Sequence, residues 1–180
     1  ELGCGAGANI PFFRALGLDY YAIEGSQTIV RSLHERYPDL AENIACGDFT
    51  AFQPFSEKFD LVIDRASLTH NSTAAIKKGL QIVIDSLQPE GIFIGSDWFS
   101  KNHSDAIGGS PSVDEYTRTN FMSGQFIGTG QVYFSDEQHL HDLFSEFEII
   151  YLEEKLVCRK IPLDDHQFAS WNIVAKKLNV

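Results

Sequence analysis

Apolar residues follow two alternating patterns over the first hundred positions. Residues 19–25 (DYYAIEG), 43–49 (NIACGDF), 59–66 (FDLVIDRA) and 91–99 (GIFIGSDWF) carry nearly continuous apolar runs, as strands buried on both faces of a parallel sheet do. Between them the period changes to that of a helix. Ile29, Leu33 and Tyr37 recur every four residues behind Ser26, a candidate N-cap, and Pro38 closes the segment. Ile76, Leu80, Val83 and Leu87 line one face of a second helix, capped by Asn71 and stopped by Pro89 and Gly91. A shorter helix is predicted between Gly7 and Gly17, with Pro11 in its first turn and Phe12 and Leu16 on its apolar face. Strand and helix in alternation predict a doubly wound α/β sheet with right-handed crossovers.

The C-terminal third reads differently. Ser135-Asp136-Glu137-Gln138 has the form of a capping box, opening a helix with Leu140, Leu143 and Phe144 inward. Two long strands follow, residues 147–157 and 170–178, joined around Pro162 with no room for a crossover helix. Such strands pair antiparallel. Residues 100–134 fit neither period. Glycines at 108, 109, 124, 128 and 130 are interleaved there with Tyr116, Phe121, Phe126, Tyr133 and Phe134. A segment of that length inside a compact domain is a candidate lid or substrate-binding insertion, and His103 within it is expected to face solvent.

Composition narrows the class. The 180 residues suit one domain. A net charge of −11 repels phosphate backbones and acidic membranes alike, so no nucleic-acid or membrane partner is expected. No apolar run reaches the roughly 20 residues of a membrane helix. Cys4, Cys46 and Cys158 are odd in number and far apart, with neither disulfide nor metal-ligand spacing, which fits a reducing, cytoplasmic setting.

The chemistry concentrates at the strand ends. Residues 1–9 (ELGCGAGAN) place Gly3, Gly5 and Gly7 at every second position before a helix. Glycines permit positive φ and let a ligand approach the main chain closely. Glu24 ends the next strand, where a carboxylate can accept both hydroxyls of a ribose. Asp48 and Phe49 end the third, a polar acceptor beside an aromatic face that suits a purine.

Together these segments resemble the motifs of the class I S-adenosylmethionine-dependent methyltransferases. ELGCGAGAN resembles the first motif, AIEGSQ the second, ACGDF the third, FDLVIDRASLTH the fourth, and LQPEGIFIGSDWF the strand that follows. The resemblance implies a Rossmann-like, mostly parallel seven-stranded sheet ending in an antiparallel hairpin. It implies S-adenosylmethionine as cofactor, with contacts from Glu1, Gly3, Cys4, Gly5, Gly7, Glu24, Gly25, Ser26, Asp48, Phe49, Asp64 and Arg65. It also puts Glu1 at the end of the central strand, so that residues ahead of Glu1 are expected to complete it. A nicotinamide-dependent oxidoreductase stays open, because Gly3, Gly5 and Ala8 satisfy a permissive dinucleotide fingerprint. A cofactor-binding regulatory module without turnover is the other alternative.

For catalysis the candidates are Asp64, His70 and Asp97, near the ends of strands four and five, and no metal is expected. Trp98 stands after Asp97 where catechol-type methyltransferases have Asn. Arg65 can clamp an anionic substrate group or pair with Asp64. No Asn-Pro-Pro-Tyr-like sequence, Pro-Cys pair or glutamate pair follows strand four. With the acidic charge, that favours a small-molecule methyl acceptor and leaves a homodimer open.

Overall fold

In the computed structural model, which describes residues 1–178, the elements follow one another as α1 (Ile10–Ala15), β1 (Ala22–Glu24), α2 (Gln27–Arg36), β2 (Ile44–Cys46), β3 (Phe59–Arg65), α3 (Thr73–Ser86) and β4 (Leu87–Phe99). Then come β5 (Ser110–Pro111), β6 (Thr117–Thr119), β7 (Val132–Tyr133), α4 (Glu137–Leu143), β8 (Phe147–Cys158) and β9 (Gln167–Lys177). Short 3-10 turns at Pro38–Asn43, Leu68–His70 and Ser104–Ile107 fill the connections.

The sheet is organised around Leu2. This residue bridges in parallel to Ile23 of β1 and to Asp64 of β3, and its N–H donates to the Ile63 carbonyl at 2.9 Å. β2 lies parallel to β1, and β4 parallel to β3. β9 runs antiparallel beside β4, and β8 antiparallel beside β9. The predicted count of seven mostly parallel strands is therefore corrected. Among the described residues the sheet is mixed, with a parallel pair, a four-strand block in the order β3-β4-β9-β8, and only Leu2 joining the two. The antiparallel pairing expected of the last two strands is present in β8 and β9, whereas the count of seven took residues 1–3 as a full central strand, and of these only Leu2 makes strand bridges. The last two strands follow α4 and one another directly, so they pair antiparallel, and β9 also runs antiparallel to β4.

Three cores support this frame. Ile76, Leu80 and Val83 of α3 pack with Val62, Phe93, Ile173 and Ala175 of the sheet and with Leu140, Leu143 and Phe144 near α4. Ile10, Val30 and Leu33 pack with Tyr20, Ala22 and Ile44 around β1 and β2. Phe99, Ala106, Phe121, Phe126, Val132 and Phe134 form the third. Residues 100–134 thus have a core of their own, together with a small antiparallel sheet in the order β5-β6-β7. Strands of two or three residues show no readable period, so none was visible in the sequence. No helix is long and apolar enough to cross a membrane among the described residues.

Several local expectations are corrected. In α1 the inward residue is Ile10, whereas Phe12 and Leu16 are exposed, because the helix has only six residues and its buried side is set by contact with Leu33 and Tyr20. Ser72, not Asn71, caps α3, accepting from the Ala75 N–H. Asn71 instead donates its side-chain amide to the Ser67 and Leu68 carbonyls and closes the 3-10 turn. Asp136, not Ser135, caps α4, accepting from the His139 N–H at 2.9 Å. Ser135 is fully buried, its main chain bonded to Phe99 and Lys101. His103 is 2 % exposed rather than open to solvent.

Candidate functional site

The glycine turn, Glu24, Asp48, Arg65 and Asp97 all fall at or just past the C-terminal ends of neighbouring strands, where ligands bind in open α/β sheets. The three glycines of the turn have positive φ, but space requires them for different reasons. A Cβ at Gly3 would lie 2.2 Å from the Ser67 Oγ, and one at Gly7 would lie 2.7 Å from Ile10 and 2.8 Å from Leu33. These two glycines allow close packing. A Cβ at Gly5, with φ +50, would meet nothing within 4 Å. Gly5 therefore presents bare main chain to an open crevice, and Gly25 beside it is similarly open.

Glu24 faces that opening with both oxygens oriented. Oε2 accepts from the Gly5 N–H and Oε1 from the Ser26 N–H, each at 2.9 Å. A carboxylate oxygen has two acceptor positions, so one on each stays free for a pair of hydroxyls. Ser26 also caps α2 through its Oγ. Asp48 is exposed, and its Oδ1 accepts from Thr50 N–H and Oγ1–H, which leaves Oδ2 without a protein donor. Phe49 packs toward Gly3, whose Cβ would lie 3.5 Å from its ring. Glu1 pins the turn: its carboxylate accepts from Asn9 at 2.8 Å and from the Tyr20 hydroxyl. Cys4 is buried, and burial pushes its thiol up to about 11, so it lines the turn as a small apolar side chain rather than a nucleophile.

This donor set fits S-adenosylmethionine. It combines a paired acceptor for a ribose, an acceptor beside an aromatic ring for an adenine, and an uncovered main-chain turn. A separate cavity of about 440 Å³ lies between the opposite, N-terminal ends of β1 and β3, lined by Leu2, Tyr20, Tyr21, Phe55 and Phe59 among others. Glu24 and Asp48 do not line it, although Glu1 and Phe49 border it from the side of the glycine turn.

The candidates for catalysis are held in three different ways. Asp64 is 1 % exposed. Its Oδ1 accepts from the Ser67 N–H at 3.1 Å and the Leu68 N–H at 3.0 Å, and its Oδ2 accepts from the Trp98 indole N–H at 2.7 Å. Burial raises the carboxyl to about 7, against the pull of those three donors. Asp97 sits in a β-bulge between Gly95 and Trp98 with φ +57. Its N–H donates to Asn172, and its carboxylate accepts from Lys155 and Arg65. Burial opposes ionisation there, but the two cations prevail and hold the carboxyl below its ordinary value. Arg65 thus pairs with Asp97 at 3.4 Å, not with Asp64, and its side chain remains 64 % exposed. His70 lies edge-on to Phe99 with ring centroids 5.9 Å apart. Partial burial lowers its pKa, opposed by a backbone hydrogen bond with Gln131 of the 100–134 segment.

Sequence reasoning missed Ser67, whose hydroxyl donates to the Gly3 carbonyl at 3.1 Å, and Trp98 as the partner of Asp64. It also missed Lys155 and Asn172, which hold Asp97 from the hairpin. These partners lie between 34 and 75 positions away in the chain, and no local signal links them.

Comparison with known proteins identifies the family and the fold. Residues 1–91 match the methyltransferase domain family. A S-adenosylmethionine-dependent methyltransferase from Methanosarcina mazei superposes with a TM-score of 0.74 at 18% identity, over 99% of this chain and 91% of that one. The glycopeptide N-methyltransferase MtfA, solved with S-adenosyl-L-methionine, gives 0.65 at 16% identity, over 99% and 80%. The amino pentose methyltransferase CalS10 from Micromonospora echinaspora, also bound to S-adenosylmethionine, gives 0.64 at 16% identity, over 98% and 81%. No curated protein sequence matches the chain. With more than half of its length matched, the chain belongs to the methyltransferase domain family, within the class I S-adenosylmethionine-dependent enzymes.

Proposed function

We propose that this protein methylates a small-molecule acceptor, with the cofactor held by the glycine turn and the acceptor enclosed by residues 100–134. The observation that carries the reading is the open face of Gly5 beside a Glu24 carboxylate already oriented by two N–H groups. In this reading Glu24 takes the ribose, Asp48 and Phe49 take the adenine, and Glu1, Gly3, Cys4, Gly7, Gly25 and Ser26 shape the turn around them. S-adenosylmethionine, when bound, supplies an electrophilic methyl group. The chain's own work is to position the acceptor and to remove its proton where the acceptor carries one.

His70 is the residue suited to proton removal. It is partly open, its pKa lies below the ordinary value, and it stays neutral near pH 7. Asp64 is assigned to positioning, since its Oδ1 holds the turn that carries His70 and its Oδ2 is taken by the buried Trp98 indole. Asp97 orients Arg65. A small acceptor is supported by the acidic charge of the chain and by the amino pentose substrate class that the name of CalS10 carries.

Calorimetric titration with S-adenosylhomocysteine tests the cofactor half. Glu24→Ala removes two charge-assisted acceptors and should weaken binding by about 10-fold or more; unchanged affinity, or no binding by the wild type, sinks the reading. The module without turnover is favoured by one observation: each oxygen of Asp64 and of Asp97 already accepts from a protein donor. Methylation of any member of a metabolite pool, lost in His70→Ala, rules that module out.

A further inference from the structure

His103, Asp105 and His166 come together at the base of the 100–134 segment, away from the glycine turn. Each brings one ligand atom to within 4.8 Å of the other two. They come from two connections far apart in sequence: His103 and Asp105 follow β4, and His166 immediately precedes β9.

The geometry of the three goes beyond proximity. His166 Nε2 lies 3.5 Å from Asp105 Oδ1. The His103 and His166 rings are 5.1 Å apart and nearly perpendicular. His103 Nδ1 accepts from the Asp105 main-chain N–H at 3.0 Å, so this nitrogen is unprotonated and lies beside Asp105. The ring proton then sits on Nε2, which is 3.1 Å from the Gln125 side-chain amide. With that amide turned so that its oxygen faces the ring, Nε2–H donates to it. A metal-binding histidine fixes its free nitrogen in this way, by donating its other N–H to a neighbouring acceptor. The Gln125 main-chain N–H meanwhile donates to Asp105 Oδ2 at 3.2 Å, so one residue orients two ligands. Phe99, Phe126, Phe134 and Phe168 surround the buried His103 ring and lock its position.

Access is available from the other side. The His166 side chain is 36% exposed and that of Asp105 13%, which leaves an entry path and room for water. Two imidazoles with one carboxylate suit a borderline first-row ion rather than Mg²⁺ or Ca²⁺, which prefer oxygen ligands throughout. In a tetrahedral zinc site the ligand atoms stand about 3.3 Å apart. Rotation of the partly exposed His166 can supply the closure that is needed.

We propose that His103, Asp105 and His166 bind Zn²⁺ or a similar divalent ion, with water as the fourth ligand, and so fasten the base of residues 100–134 to the start of β9. Nδ1 of His103 gives up one main-chain hydrogen bond when it coordinates, and Asp105 and His166 exchange their ion pair for bonds to the metal.

The test uses the whole chain, stripped with chelator and then dialysed against Zn²⁺, with Co²⁺ as the spectroscopic probe. The expected result is one equivalent of Zn²⁺ per chain. Co²⁺ should give visible d–d bands without the thiolate charge-transfer bands that the free cysteines would produce. His166→Asn and Asp105→Asn should each weaken Zn²⁺ binding by more than about 10-fold. Both positions are partly exposed, so these variants stay folded where a change at buried His103 could unfold the chain. Zn²⁺ should also slow limited proteolysis within residues 108–130 in the wild type and not in the variants. Absence of a bound equivalent, binding unchanged in both variants, or a thiolate-dominated Co²⁺ spectrum would overturn the proposal and leave an ordinary His166–Asp105 ion pair.

Discussion

Asp64 and Trp98 should be energetically coupled, and the coupling can be worked from their geometry. Replacing Asp64 with Asn keeps one oxygen for the Ser67 and Leu68 N–H groups but points an amide NH₂ at the Trp98 indole N–H. Two donors then face each other where a 2.7 Å hydrogen bond stood. Turning the amide over restores that bond and breaks two others. Asp64 is 1 % exposed and Trp98 fully buried, so water cannot replace the lost partner. One buried charge-assisted hydrogen bond and one orphaned donor amount to about 2–3 kcal/mol. Trp98→Phe removes the indole N–H and leaves a void of its own, at a comparable cost. The double variant no longer sets donor against donor, so its loss should fall short of the sum of the singles by about 1–2 kcal/mol. Urea unfolding of the four proteins at pH 8.5, followed by circular dichroism, measures this cycle with the carboxylate ionised. Additivity within about 0.5 kcal/mol would refute the coupling; the single Asp64→Asn change is not the readout, because at pH 8.5 it also removes a buried charge whose desolvation works against the fold.

Asp64 also predicts a pH dependence. Its folded pKa of about 7 lies above the ordinary 3.8, so the native state holds the proton more tightly than the unfolded chain. The stability this lends is fully present below about pH 4 and is lost as pH rises through 7, a range of at most about 4 kcal/mol. Asp64→Asn should flatten that part of the stability profile, and an equally steep fall in the variant would refute the sign. Gly5 and Gly7 should separate binding from folding. Gly7→Ala, forced against Ile10 and Leu33 at φ +76, should lose more than 2 kcal/mol of stability by overpacking and strain together. Gly5→Ala should lose only the roughly 1–2 kcal/mol of a left-handed alanine, while its Cβ enters the crevice and reduces S-adenosylhomocysteine affinity by about 10-fold or more, the equivalent of one displaced contact. Retained affinity in Gly5→Ala would move the cofactor away from this turn.

Much of the frame was legible because it is written in short-range pattern. The strands at β1, β3 and β4, the amphipathic faces of α2 and α3, and the Ser26 cap follow from propensity and period alone. So do the glycine turn and the carboxylates at the strand ends, since a strand-end residue is located by its own strand. Chemistry that depends on pairing across the sheet was not legible. The bulge that places Asp97 at φ +57 arises from a register shift against β9, and Lys155 reaches Asp97 from a strand 58 positions away. His103 read as a surface loop residue because its pattern is polar, yet rings from the end of β4, the 100–134 segment, the connection ahead of β9 and β9 itself surround it.

The sequence by itself therefore determined the α/β class and the family, and it supplied the strand-end residues that the proposed function assigns to the cofactor. Each of those rests on residue type at fixed local spacing, which backbone sterics and hydrophobic period translate directly into structure. Only the tertiary structure decided that Asp64 is a buried support, that Arg65 pairs with Asp97, and that His103, Asp105 and His166 meet. Burial and partner choice depend on which distant segments the sheet brings into contact, and those contacts exist only once the chain has closed on itself.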